Sequence, residues 1–342
     1  MIENGRVQAG GTLALGTGPV TVKTGGQLYA TSGTFANNFS LSGSGTTESA
    51  NYGAIRADNV TLTGTITLVT DSGISGASGT ASVPGRITGP GAFLKLGGPG
   101  ITVLSNTAND YWGGTILTGG TLSVSAGSNL GTGPLTLGGG QLLVTGSSQF
   151  VYANRVTLNN ATSSFVNVTN TAGAVFTGTV WGSGGLVKTG TSGLTLSGPV
   201  AYTGTTTIDQ GTLTFGSTPS VSGGTLLLGS GTLVSTAGAL QLGSASATFS
   251  GLAAQNNTTT PSVISVGQGR TLTINGNVNI GNQGLNNADT RLTVTGAGTL
   301  VVAAPGGIFN AGIGLAGTGN AGKSLTDLSL IHISEPTRPE RI

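Results

Sequence analysis

Apolar residues along this chain come in short alternating pairs. In "GLVKTGTSGLTLSGPVAYTGTTTIDQGTLTF", Gly185 to Phe215, Leu194 and Leu196 share one parity, as do Leu213 and Phe215, with Thr212 and Thr214 on the other. A period of two places such pairs on one face of a β-strand. The runs are short, rich in Val, Thr, Leu and Ile, and bounded by Gly, Asn or Ser, which is strand grammar. No apolar stripe at helical spacing persists long enough to predict a helix. Short strands with a turn every few residues predict an all-β chain, a right-handed parallel β-helix whose coils stack about 4.8 Å apart. Glycine suits the corners, because tight turns often demand a positive φ that glycine adopts cheaply. At about 20 to 25 residues per coil the chain would form roughly 14 to 17 coils. Leu194, Leu196, Leu213 and Phe215 are expected inside, with Ile101, Val103, Leu122 and Val124 in the matching positions of an earlier copy.

That earlier copy is "GPGAFLKLGGPGITVLSNTANDYWGGTILTGGTLSV", Gly89 to Val124. Lys188 falls on Lys95; with the same offset Leu194 and Leu196 fall on Ile101 and Val103. After a small deletion Tyr202 falls on Tyr111, Gly204 on Gly113, Thr206 on Thr115, and "GTL" at Gly211 to Leu213 on "GTL" at Gly120 to Leu122. A second echo pairs "LGTGPVTVKTGGQL", Leu15 to Leu28, with "LGTGPLTLGGGQL", Leu130 to Leu142. Fixed spacing of this kind marks a repeat architecture in which neighbouring units bury a continuous core.

Composition narrows the classes. Of 342 residues, 64 are Gly and only 6% are charged, while 36% are hydrophobic, which is too apolar and too weakly charged for ordinary disorder. Glycine does not fall at every third position, so collagen is excluded. The net charge of +2 provides no basic stripe for nucleic acid, and no apolar run approaches a membrane span. With no cysteine, disulfide frameworks, thiol catalysis and Cys-type zinc sites are ruled out. The N-terminal "MIENGRVQAG" has no apolar core of a signal peptide, so the chain reads as an internal segment of something longer.

The stretch "GSGGLVKTGTSGLTLSGPVAYTGTTTIDQGTL" resembles the autotransporter passenger-associated transport repeat, also called the autotransporter-associated β-strand repeat. The first copy keeps Asn109, Tyr111, Gly113, Gly114 and Thr115; the second keeps Tyr202, Thr203, Gly204 and Thr206, with Val200 in place of the Asn and Thr205 in place of the second Gly. The clearest copies lie in 87–124 and 180–215. The resemblance implies a β-helical stalk or passenger segment of a large bacterial surface or type V secreted protein, extracellular or at the cell surface. It implies a role in passenger folding and export and in presenting distal regions, and an outer-membrane translocator barrel elsewhere in the full-length protein. Possible partners are host or matrix surface components. Residues 1–328 are expected to form one continuous array. The tail 329–342, "SLIHISEPTRPERI", has no Gly and contains Pro336 and Pro339; prolines remove ladder donors, so it reads as a linker or as sequence foreign to the array.

Candidate chemistry is sparse. Six Asp and four Glu are the whole carboxylate supply, and none are adjacent. Polysaccharide lyases and hydrolases on β-helices need such groups clustered, so that alternative is weak, and Asp110 and Asp209 read as repeat features. His332 is the single histidine, in the tail, which leaves no separate Ser-His-Asp constellation. Lys95 and Lys188 share parity with Phe93 and Leu186, but an interior lysine is costly unless paired, so both are expected to snorkel to the surface. "NDYWGG", Asn109 to Gly114, reads as a repeat corner whose Tyr packs on the coil below, or as an exposed aromatic pair that stacks on sugar rings in an adhesin. "GNQGLNNAD", Gly281 to Asp289, and "QNNTTTP", Gln255 to Pro261, read as solvated turns; the first lacks the calcium nonapeptide. No catalytic, cofactor or metal residue is assigned, and the chain is expected not to be an enzyme.

Overall fold

A computed structural model of the chain describes residues 1–47, 51–159, 163–217, 221–229, 238–255, 260–280, 292–303, 309–311, 325–326 and 331–332. The protein is all-β, with parallel strands stacked as a β-solenoid of about 11 turns. Among the described residues the helical piece is one short 3-10 turn, Gly127–Leu130, and no helix is long and apolar enough to cross a membrane. Two compact units are distinguished, Met1–Gly178 and Thr179–Ile342.

In the first unit Phe93 pairs with Thr115, Thr115 with Leu135 and Leu135 with Val156, so these coils take about 20 to 22 residues, while the step from Leu28 to Ile55 is longer. In the second, Thr206 pairs with Leu226, Leu226 with Leu252, and Leu252 with Val278, and the coil lengthens to about 26 residues. One step is longer still, from Ile264 to Val294. The stack has about 11 turns, fewer than the roughly 14 to 17 expected, and its coils are not of uniform length.

Register explains the core. In the first unit the column Val83, Leu104, Val124, Val144, Val168 runs rung by rung, and every member is buried. In the second unit Leu194, Leu213, Leu240 and Ile264 form one buried column, and Leu196, Phe215, Leu242 and Val266 its neighbour. Each such side chain contributes about 1.5–3 kcal/mol by leaving water. The alternation read for Leu194, Leu196, Leu213, Phe215, Leu122 and Val124 therefore holds.

Ile101 and Val103 are a correction. Ile101 is exposed and Val103 half-buried, while Thr102 and Leu104 of the same strand, Ile101–Leu104, face inward. "ITVL" offers an apolar residue at either parity, and a one-residue slip exchanges the two faces. The rung below decides. Thr102 stacks on Ala81 and Leu104 on Val83, and the buried Thr102 hydroxyl donates to the Ile74 carbonyl at 3.0 Å. Its polar group is thereby satisfied inside, and the true offset to Leu194 and Leu196 is one less than the lysines suggest.

Of the tail, Ile331 and His332 lie among the described residues. Ile331–His332 is a two-residue strand in parallel register with Leu300 and Val301. This departs from the expectation that the tail builds no part of a coil, and it comes ahead of Pro336 and Pro339.

Candidate functional site

Lys95 and Lys188 do not snorkel; both side chains are fully buried. Each continues the inward parity of its strand, Phe93–Lys95 or Leu186–Thr189, and finds its partners at the corner that follows. The Lys95 ammonium donates to the carbonyls of Gly97 at 2.7 Å and Gly98 at 3.3 Å. Lys188 donates to Thr189 at 2.7 Å, Gly190 at 2.8 Å and Gln210 at 3.1 Å. Gly98 and Gly190 both have positive φ, 75° and 78°, and the left-handed turn points backbone oxygens at the interior. The corner thus supplies the partners that the snorkelling argument assumed only solvent could give. Burial pushes each ammonium from 10.5 down to about 8, because desolvation disfavours the charged form.

The next coil closes the corner from above. Gly120 and Gly211, which begin the two "GTL" strings, have φ of 62° and 71°. A Cβ on Gly120 would lie 2.5 Å from the Lys95 Nζ, and one on Gly211 would lie 3.0 Å from the Lys188 Nζ. The Lys, the Gly after it and the Gly of the following "GTL" are one device spanning two coils. The backbone ladder runs alongside it in both copies: Thr118 N–H donates to the Lys95 carbonyl and Asp209 N–H to that of Lys188, each at 2.9 Å.

The motif's Tyr and Thr form a second lock. Tyr111 and Tyr202 are buried, and their hydroxyls lie 2.7 Å from the Oγ1 of Thr115 and Thr206 respectively. Burial holds both phenols well above the ordinary tyrosine range. Between each pair sits a glycine: a Cβ on Gly113 or Gly204 would strike the Gly91 or Gly184 backbone of the preceding coil. The same chemistry therefore occupies the same place in each copy, and it is the chemistry of packing.

"NDYWGG" divides by parity. Asn109 and Tyr111 face inward, and Asn109 joins three coils by accepting from Ile87 N–H at 2.8 Å and donating to the Asn129 carbonyl at 2.8 Å. Asp110 and Trp112 face outward, Trp112 with 59% exposure. Their backbone N–H groups bond the Ile87 and Gly89 carbonyls, setting them one rung above Arg86 and Thr88. Asp110 forms an ion pair with Arg86. The Arg86 guanidinium, then the Thr88 hydroxyl, hold its carboxyl below the usual range. Arg86 escaped the sequence reading, although its position one coil before Asp110 was the available signal.

Among the described residues Glu3, Asp58 and Asp71 also serve local structure, Asp71 by accepting from the Ala92 N–H. Glu3 bonds Lys23 at 2.7 Å, and Asp58 Oδ1 caps the N–H groups of Ala77, Ser78 and Gly79. Among the described residues no three His, Cys, Asp or Glu come together as a metal site. Gly281 to Asp289 lies outside the described residues, as do positions 256–259 of the Gln255 to Pro261 stretch.

A buried lysine beneath a left-handed glycine thus recurs in both copies of this repeat solenoid. The passenger-associated transport repeat matches this chain at residues 97–124 and 186–215, the segments that carry the "GTL" glycines, the tyrosines and the threonines just described. The chain is also 35% identical over 157 residues to the adhesin BmaC autotransporter of Brucella suis biovar 1 (strain 1330), a match covering 45% of this chain and 4% of that protein. It thus spans a small fraction of that relative's length. No solved structure matches.

Proposed function

We propose that this chain is a structural stalk segment of an autotransporter passenger, extracellular or at the bacterial surface. It assists passenger folding during export and holds distal regions away from the cell, with the outer-membrane translocator barrel elsewhere in the full-length protein. The observation that carries this reading is the repeated corner. Each copy braces a coil from within through a buried lysine bonded to its own corner and a Tyr–Thr pair, and ties it to the next coil by the left-handed glycine that closes over the lysine. Such ties suit coils that add one at a time, since a solenoid's stability lies mainly between neighbours. The similarity to an autotransporter adhesin supports the same compartment. A non-enzymatic role is supported by Glu3, Asp58 and Asp110, each engaged with a cation or backbone N–H groups. We further take residues 1–328 as one repeat array and 329–342 as a linker or foreign tail.

The test is surface display. Residues 1–328 are placed between an epitope tag and a heterologous translocator barrel, and tag exposure on intact cells is compared with a version lacking residues 186–215. Export assistance predicts a several-fold loss of exposed tag without the repeat. Equal display of the two forms overturns it.

A second reading, that the segment itself contacts host or matrix surfaces as an adhesin, is favoured by one observation. Both tryptophans are exposed, Trp112 at 59% and Trp181 at 39%, whereas Tyr111, Tyr202, Phe93, Phe176 and Phe215 are buried.

A further inference from the structure

Tryptophan is normally among the most covered residues even when not fully buried, so an indole on a solenoid's outer face needs a reason. The backbone of Trp112 is held there by its neighbours. Tyr111 beside it is locked to Thr115, and the Trp112 N–H is bonded to the Gly89 carbonyl at 3.2 Å. Its neighbours are small: the exposed Pro90, between Gly89 and Gly91, lies on the rung below, Gly113 and Gly114 follow it, and the exposed Thr132 lies on the rung above, followed by Gly133 against the Trp112 carbonyl. An open aromatic face is flanked on the same outward side by Asp110 and, one rung down, by Arg86 and Thr88.

We propose that Trp112, Asp110 and Arg86 form a carbohydrate contact, with the indole stacking on the apolar face of a neutral hexopyranose. An indole offers a rigid amphipathic surface at low entropic cost. A ring of sugar hydroxyls then needs acceptors and donors at the rim of that surface. Asp110 Oδ2 supplies an acceptor and Arg86 supplies planar N–H donors, already oriented by their mutual ion pair, while Asp110 Oδ1 is turned away from solvent. Because the pair is neutral as a whole, the site favours neutral sugars over sulfated or carboxylated ones. This inference rests on the second, surface-contacting reading and specifies the ligand class.

The experiment uses the full chain on an array bearing neutral oligosaccharides, acidic oligosaccharides and deglycosylated matrix proteins, with circular dichroism confirming that each variant folds. Expected is a signal on neutral hexose-terminated glycans that falls at least tenfold in Trp112→Ala and several-fold in Asp110→Asn, with Trp181→Phe unchanged. Trp112 is exposed, so its removal leaves the core intact. Three results overturn the proposal: preference for acidic glycans, glycan binding that survives in folded Trp112→Ala, or binding confined to the deglycosylated proteins. The last of these leaves the contact reading standing. Silence on all three classes overturns both.

Discussion

Raising the pH from about 8 to about 10 should stabilise the folded chain. Lys95 and Lys188 have folded values near 8 against 10.5 when exposed. Between those values the folded chain has released protons that the unfolded chain still holds. Unfolding therefore takes protons up, and stability rises with pH across that window. Integrated from pH 8 to 10, each lysine contributes about 2 kcal/mol. The phenols act in the opposite sense. Tyr111, Tyr152 and Tyr202 are raised by burial, so they stay neutral in the fold while unfolded tyrosines ionise near pH 10. The stability they supply is complete below that value and is lost above it. The expected profile climbs from about pH 8 and turns over near pH 10. Urea unfolding followed by circular dichroism at several pH values measures it, with the Lys95→Met, Lys188→Met double variant as control. Methionine keeps the apolar stem and removes the ionisable group, so the climb should vanish while the fall above pH 10 remains. Identical profiles for the two proteins would refute the interior placement of the ammonium groups.

Gly211→Ala should destabilise by about 2 kcal/mol, since it adds a strained positive φ and a Cβ 2.5 Å from the Gly190 carbonyl oxygen, 2.7 Å from that of Ser192 and 3.0 Å from the Lys188 Nζ. Combined with Lys188→Ala the loss should be less than additive in a urea double-mutant cycle. Leu104→Ala should cost about 2–5 kcal/mol as a core truncation, whereas Ile101→Ala on the same strand should cost under about 1 kcal/mol; equal losses would contradict the register. Tyr202→Phe should cost about 1–2 kcal/mol by leaving the buried Thr206 hydroxyl without its 2.7 Å partner, read as a shift in urea midpoint at unchanged slope.

Much of the fold was legible because β-strand parity is a local signal. Leu194 with Leu196 and Leu213 with Phe215 have a single apolar parity, and their burial followed from that alone. Where both parities were apolar, as in Ile101 to Leu104, the strand did not name its own inward face; contact with Ala81 and Val83 one coil away named it. The lysines failed for a related reason. The cost of burying an ammonium is readable from one residue, but the carbonyls of Gly97, Gly98, Thr189, Gly190 and Gln210 that offset it are visible only once the left-handed corner is built. The repeated Gly-Thr-Leu string held the missing clue, since a glycine retained one coil after each lysine is what a clearance requirement leaves in a sequence. Coil length was misjudged as uniform, whereas long steps occur in both units, from Leu28 to Ile55 and from Ile264 to Val294. The outward cluster was half legible: "NDYWGG" marked Trp112, but Arg86 joins Asp110 only through the stacking of coils.

Rung-by-rung parallel register is the claim on which the lysine corner, the core columns and the Trp112 face all depend. The chain has no cysteine, so pairs can be introduced without background. Ile101 and Thr121 are outward rung partners, while Leu122 is the buried neighbour of Thr121. Rung partners stand about 4.8 Å apart, within the reach of a disulfide. Under mild oxidation the Ile101→Cys, Thr121→Cys protein should cross-link nearly completely within one chain, and the Ile101→Cys, Leu122→Cys protein should not. Cross-linking of the second pair in preference to the first would contradict the register and, with it, the solenoid built here.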